Sequence, residues 1–432
     1  MTLQVHNSCD EILRRLRDVG MPDEMWAEAG RGLRLSAEPA VNAHVHLPPN
    51  FSAFESMEQA VDLARRQNVK LLGASNYYDY SIYPAFAALA LASGIYPLFG
   101  LEVICLLEDL RREGIRINDP SNPGRMYLCG KGITRFGEMT SEAARLLGIM
   151  RRNDALRIRR MIGLLSEVFE RRGLPIGLDP ARVLEHVVRR HGAAEGTVTL
   201  QERHVAQVFQ QEFFRLVPES ARPAALSKIL AAPAGDGPRD EVWVQNGIRS
   251  HLMKVGKPAF VEEAFLSFED ARRLILELGG MPCYPTLADG ASPVCAYEDP
   301  PGKLIGALRA ARIFCAEFIP LRNEPQVLEK YVHAMRGAGL VLTAGTEHNT
   351  LDLAAMSPRC VRDLPVPMPV REIFLEGAYV VVAHQYLQLH DRCGYVDAQG
   401  NLNPAFASCE ERIARFRSLG AAVVARQLET RR

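Results

Sequence analysis

The chain has 432 residues, of which 47% are apolar, 24% charged and 7% aromatic, and its formal net charge is zero. This ordinary globular composition favours a small-molecule substrate and argues against nucleic acid as a main partner beyond nucleotides or short oligonucleotides. No apolar run approaches the roughly 18 residues of a membrane span, so no membrane association is expected. The nine cysteines are scattered without a CxxC pair, which is typical of reduced thiols and predicts a cytoplasmic protein.

The pattern of apolar residues changes several times along the chain. Residues 1–40 are predicted to form a helical extension, because apolar residues recur at helical spacing from about residue 9. From 41 to 135, short apolar strands alternate with amphipathic helices, a pattern typical of a parallel sheet or barrel. Long arginine-rich helical stretches over 136–256 predict an insertion. The alternation of strands and helices resumes over 257–360, and 361–432 reads as a helical tail.

His44 and His46 end the first predicted strand and are two residues apart, so their side chains lie on the same side of it. Both imidazoles can therefore reach one metal ion. Paired histidines also occur without a metal. The metal-site interpretation is therefore stronger if other strand ends also carry acidic or imidazole side chains. In α/β folds, chemistry gathers at the carboxyl ends of strands. Acidic or imidazole side chains at or near such ends are Asp79, Glu102, Glu347 and His348.

The order of these signals resembles the PHP (polymerase and histidinol phosphatase) family. His44-x-His46, Gly100-x-Glu102 and a late acid-plus-histidine loop occur in the family's order. The segment 126–130 is similar to the family's His-x-Leu-Gly strand, and 279–285 to its Gly-Gly-x-x-x-x-His-Pro strand. Arg203 to Ala206 resembles a motif in the subgroup that cleaves nucleotide and short oligonucleotide phosphoesters. The resemblance implies an α/β fold, a distorted (β/α)7 TIM-like barrel with a helical insertion, and up to three metal ions.

Several of the family's ligand positions are replaced in this chain. The resemblance implies that one metal would be held by His44, His46, Glu102 and Glu347, where Glu347 stands in place of an aspartate. A neutral phenol is a poor ligand near neutral pH. We therefore expect one retained divalent transition metal (Zn, Mn or Fe). The replaced ligand positions correspond to Tyr77, Tyr127, Tyr284 and Asn349.

Three functional interpretations remain open from the sequence. The first is a metal-dependent hydrolase of a small phosphate ester or related anion, with His348 and Asp79 as acid/base groups. The second is a mononuclear-metal hydrolase or isomerase acting on an ester, lactone, amide or sugar acid. The third is a degenerate, non-catalytic binding protein. In the enzymatic interpretations, the candidate hydrogen-bond donors are Tyr77, Tyr127 and Tyr284, and the candidate substrate contacts are Arg203, His204, Lys131 and Asn349.

Overall fold

The structure is a computed structural model that describes residues 9–30, 40–233, 240–350 and 353–429. Parts of the predicted N-terminal extension and residues 234–239 of the predicted helical insertion lie outside these ranges. None of the helices within them is both long and apolar enough to cross a membrane.

Eight strands form one curled sheet in the order β1-β2-β3-β4-β6-β7-β8, and β5 pairs with β3. The last strand returns to the first, since the His46 amide donates to the Glu347 carbonyl at 2.8 Å. The predicted TIM-like α/β barrel is therefore confirmed, and its sheet is nearly closed. The strands are β1 Ala40–Val45, β2 Val69–Ala74, β3 Tyr96–Leu106, β4 Arg125–Lys131, β5 Leu266–Ser267, β6 Met281–Thr286, β7 Cys315–Phe318 and β8 Val341–Ala344.

The sequence predicts a parallel sheet or barrel, but the strand β4 is not parallel to its neighbours. β4 runs antiparallel to both β3 and β6, because only a short helix and turns connect β3 to β4 and no crossover brings the chain back. In this register Glu102 lies opposite Cys129, and Gly100 lies opposite Lys131. The reversal therefore sets Cys129 and Lys131 beside the middle of β3.

Helices surround the barrel and build a second unit at one end of it. They are α1 Cys9–Arg17, α2 Pro22–Ala29, α3 Met57–Arg66, α4 Tyr83–Ala92, α5 Glu108–Arg112, α6 Ser141–Arg171, α7 Pro180–His191, α8 Glu202–Leu216, α9 Arg222–Leu230, α10 Glu241–Ile248, α11 Phe268–Glu277, α12 Pro301–Ala310, α13 Pro325–Gly337, α14 Met368–Leu389 and α15 Cys409–Glu429.

The helices between β4 and β5 have an apolar core of their own. The second half of α6 packs with α7 to α10 around buried side chains such as Met161, Phe209 and Leu252. Several contacts tie this unit to the loops that follow the barrel strands. Gln201 Oε1 accepts a hydrogen bond from the Phe51 amide at 2.7 Å, and Arg151 pairs with Asp79 at 3.0 Å. The helical unit thus covers the barrel end at which β1 and β2 terminate.

Candidate metal centre

Three side chains converge beneath the helical unit. His44 Nε2 and His46 Nε2 are 3.4 Å apart, and each lies 3.3 Å from Glu102 Oε2. All three residues are buried. A tetrahedral ion with ligand bonds of about 2.0–2.1 Å has its donor atoms about 3.3–3.4 Å from one another. The two imidazoles and the carboxylate therefore fit a single divalent ion and leave one position open for water or substrate.

A buried carboxylate sets the orientation of His44. Its Nδ1 lies 3.0 Å from Glu317 Oε1, so the Nδ1–H donates a hydrogen bond to Glu317 and Nε2 faces the triad. Burial lowers the pKa of His44, but the Glu317 and Glu102 carboxylates together outweigh burial and raise that pKa to about 9. Without an ion, a proton on Nε2 accordingly lies between His44 and Glu102, and a metal would displace it.

Tyr77 orients the carboxylate of the triad. Its hydroxyl donates to Glu102 Oε1 at 2.6 Å, which leaves Oε2 towards the histidines. Its ring stacks on His46 with centroids 5.1 Å apart and an interplanar angle of 4°. Burial and the neighbouring Glu102 raise the pKa of Tyr77 well above 10. Tyr77 is therefore a neutral hydrogen-bond donor beside the site.

Two further side chains were candidates for an additional metal ligand: the Cys129 thiol and the Glu347 carboxylate. Cys129 offers a sulfur that forms a possible ligand group with His44 and Glu102, with donor atoms within 4.8 Å of one another. Burial raises the pKa of this thiol well above 9. Glu347, expected as the fourth ligand, instead pairs with the Arg322 guanidinium and accepts from Asn349 Nδ2 at 2.6 Å. A guanidinium thus neutralises the carboxylate that the sequence assigned to the metal.

The two predicted acid/base groups do not reach the triad. His348 has both ring nitrogens occupied, with Nδ1 2.7 Å from Thr346 Oγ1 and Nε2 3.0 Å from the Ala354 carbonyl oxygen. Asp79 accepts from Arg151 at 3.0 Å and from the Ser81 amide at 2.9 Å. Each side chain is therefore committed to holding a loop, and neither presents a free atom to the metal centre.

Three other predicted site residues also point elsewhere. The Tyr284 hydroxyl donates to Glu298 at 2.9 Å, in a buried pair that does not line the cavity described below. Lys131 Nζ bonds Glu317 Oε2 at 2.6 Å inside the barrel, so Lys131 is not open to a substrate anion. His204 caps α8, because its Nδ1 accepts from the Gln201 amide at 3.1 Å.

A cavity of about 500 Å³ lies between the barrel end and the helical unit. Arg203 reaches it from α8. The Arg203 guanidinium lies 5.8 Å from the Phe51 ring centroid, and no carboxylate pairs with it in the part of the chain that the structure describes. Burial and nearby Arg249 lower its pKa to about 10, so it stays charged at neutral pH. The predicted site residues that line this cavity are Tyr77, Glu102, Tyr127, Arg203, Glu347 and Asn349.

The sequence interpretation missed Glu317, Arg322 and Cys129. Glu317 had a usable signal, because a carboxylate within an apolar strand is rarely buried unless it is paired. Arg322 follows β7 in a short 3₁₀ turn, and nothing in the local sequence distinguishes it from a surface arginine. Cys129 looked like one of several buried core thiols.

Removing the hydroxyl group of Tyr77 should affect activity far more than removing that of Tyr284. We expect Tyr77→Phe to lower kcat/KM by about 10- to 100-fold, because loss of a hydrogen bond to a charged group costs about 1.5–3 kcal/mol. Tyr284→Phe removes the same atom from a buried pair that does not line the cavity, and should leave kcat/KM within about twofold. Steady-state kinetics of both variants check this, and equal losses would contradict the placement of Tyr77.

The absorption spectrum of the Co²⁺-loaded protein distinguishes the two possible donor sets. We expect tetrahedral d–d bands without a thiolate-to-cobalt charge-transfer band, since the two imidazoles and Glu102 match the spacing of a single ion. Cys129→Ser should leave the spectrum unchanged. A charge-transfer band that disappears in Cys129→Ser would instead make Cys129 a ligand.

Comparisons with known proteins support the fold. No protein-family model and no curated protein sequence matches the chain. Among solved structures, one protein from Bifidobacterium adolescentis described as a metal-dependent phosphoesterase superposes with a TM-score of 0.52 and 14% identity, over 78% of this chain and 96% of that one. A second, an amidohydrolase from Chromobacterium violaceum with bound sulfate and no metal, gives 0.50 and 17%, over 77% and 95%. The chain thus shares a barrel fold with one protein described as a metal-dependent phosphoesterase and one described as an amidohydrolase.

Proposed function

We propose that this protein is a hydrolase of the PHP type that uses one divalent metal and acts on a small anionic substrate such as a phosphate ester. The observation that carries the proposal is the convergence of His44, His46 and Glu102 below a cavity lined by Arg203, whose guanidinium has no carboxylate partner among the described residues. The phosphoesterase description of one solved structure with this fold supports the same reaction class.

The residues around the triad have distinct tasks. A bound divalent ion would supply a water of lowered pKa and would polarise the bond under attack. His44, held by Glu317, and Glu102, held by Tyr77, present their remaining donor atoms towards one point. Arg203 would hold the anionic part of the substrate. The helical unit covers this end of the barrel and limits the access of bulk water.

The charges of the cavity favour an anion. Six carboxylates and six cationic side chains line it, so that the lining alone is close to neutral. Burial raises the pKa of one of those carboxyls, Asp154, to about 7, which removes part of the negative charge near neutral pH. A divalent ion adds two positive charges. The loaded cavity would thus carry a positive excess, and such an excess raises the local concentration of anionic substrates.

A second candidate is hydrolysis of a carboxylic ester, lactone or amide. Phosphoester cleavage commonly uses two ions that clamp the attacking and leaving oxygens, whereas the present donor set fits one. The amidohydrolase description of the second solved structure also favours this alternative. A carboxylate-bearing substrate would satisfy Arg203 equally well.

A parallel screen separates these candidates. The zinc- and manganese-loaded protein is assayed with p-nitrophenyl phosphate, bis(p-nitrophenyl) phosphate and nucleoside monophosphates, and with p-nitrophenyl esters and lactones. We expect phosphate-ester turnover that is lost in Glu102→Gln. Turnover of carboxylic esters or lactones alone would favour the second candidate. Silence in every arm from protein that binds metal would leave the non-catalytic binding protein.

A further inference from the structure

A chain of buried charges continues from the metal centre into the barrel. Lys131 Nζ donates to Glu317 Oε2 at 2.6 Å, and Glu317 Oε1 accepts from His44 Nδ1 at 3.0 Å. The side chains of Lys131, Glu317 and His44 are at most 2% exposed. The three residues come from β4, β7 and β1, so the contacts join three strands across the barrel.

The fold alone does not account for this arrangement. Taking a lysine and a glutamate out of water is costly, and apolar side chains of similar volume often stabilise a core as well or better. The surrounding β-strands offer such side chains at neighbouring positions, including Leu101, Leu128 and Leu342. The buried pair therefore calls for an explanation beyond stability.

The carboxylate of Glu317 is shared among Lys131, His44 and the Cys129 thiol, which also hydrogen-bonds it. Lys131 takes Oε2 and leaves Oε1 for His44, which fixes the rotation of the carboxylate. Lys131 Nζ also donates to the Ala43 carbonyl oxygen at 3.1 Å, one residue before His44. The lysine thus holds both the carboxylate that orients the imidazole and the backbone that carries it.

Lys131 and His44 each contact a different oxygen of Glu317, so this carboxylate acts on the metal centre through the His44 imidazole. Outer partners of a ligating histidine fix its tautomer and raise its basicity, and their loss commonly costs about 10- to 100-fold in metal affinity.

We infer that Glu317 and Lys131 form a positioning pair that holds His44 with Nδ1 protonated and Nε2 aimed at the metal. This inference rests on the proposed metal site, but it does not depend on the reaction that the site performs. It predicts that neutralising the pair weakens metal binding even where the fold is kept.

The test is a zinc competition titration against a chromophoric chelator, together with thermal unfolding. Glu317→Gln and Lys131→Met each leave one buried charge without its partner, and we expect both to lower Tm. The double variant removes both charges, so its Tm should recover towards wild type. Its zinc affinity should nevertheless be about 10- to 100-fold weaker than that of wild type. Thr343→Val is the control, because the Thr343 hydroxyl is buried in the barrel without a hydrogen-bond partner among the described residues.

Each outcome decides a different claim. Wild-type affinity in a folded double variant would overturn the positioning role. Absence of zinc binding in the wild type itself would overturn the proposed function instead. If the double variant does not fold, the ¹⁵N-histidine spectrum of the zinc-loaded wild type decides the question. A His44 ring protonated at Nδ1 and metallated at Nε2 supports the inference, and metallation at Nδ1 contradicts it.

Discussion

His46→Ala is expected to abolish metal binding and to lower kcat/KM by at least about 1,000-fold. A metal that polarises the scissile bond and activates water contributes several kcal/mol to the transition state, and each 1.36 kcal/mol corresponds to a factor of ten. His46 Nδ1 has no hydrogen-bond partner in the described ranges, so the truncation removes a ligand and the stacking contact with Tyr77 but no hydrogen bond at Nδ1. Metal analysis and steady-state kinetics on the same preparation measure both effects.

Asp79→Asn is the control for this experiment. The sequence interpretation placed Asp79 among the acid/base candidates, but the structure pairs it with Arg151 on the loop after β2. We expect its metal content to equal that of wild type and its kcat/KM to stay within about threefold. A large loss of activity in Asp79→Asn, or retained metal in His46→Ala, would contradict the assignment of the site.

The second large effect is expected for Arg203, whose guanidinium has no carboxylate partner among the described residues. Arg203→Met should lower kcat/KM by about 10- to 100-fold, because a charge-assisted hydrogen bond to a substrate anion is worth about 1.5–3 kcal/mol. Bound metal should not change. Most of the loss should appear in KM if Arg203 holds the substrate anion equally in the ground and transition states.

The thermal stability of Arg203→Met, unlike its activity, is not expected to fall. Burial and Arg249 lower the pKa of Arg203, so folding disfavours its charged form, and removing that charge should leave Tm unchanged or higher. Arg222→Met is the contrasting variant: Arg222 also lies over an aromatic ring, that of Phe214, but it donates to the Val217 and Phe214 carbonyls, so its loss should lower Tm and leave kinetics unchanged. A fall in Tm with unchanged kinetics in Arg203→Met would make Arg203 a structural residue.

The barrel could be predicted because its signals are local. Apolar strands alternate with amphipathic helices, and residues two apart in a strand share a face, which set His44 beside His46. The reversed direction of β4 depends on the connection from β3 and not on the strand's own residues. The same reversal decides where Cys129 and Lys131 lie, and this is why Lys131 was expected in the substrate site and is found inside the barrel.

The pairing of charges was the least predictable part of the site. Glu347 is neutralised by Arg322, which lies 25 positions earlier in the chain. Whether His348 is free depends on Thr346 and on the Ala354 carbonyl. Such pairings follow from three-dimensional placement and leave no periodic signal in the sequence. A buried acid such as Glu317 is an exception, since its setting in an apolar strand already indicates a partner.

The most direct test of the central claim is the metal content and anomalous diffraction of the natively purified protein. We expect about one equivalent of a divalent transition metal. We also expect one anomalous peak between His44 Nε2, His46 Nε2 and Glu102 Oε2. No metal after reconstitution with zinc or manganese, or a peak at Glu347 away from the two histidines, would contradict the proposed metal site.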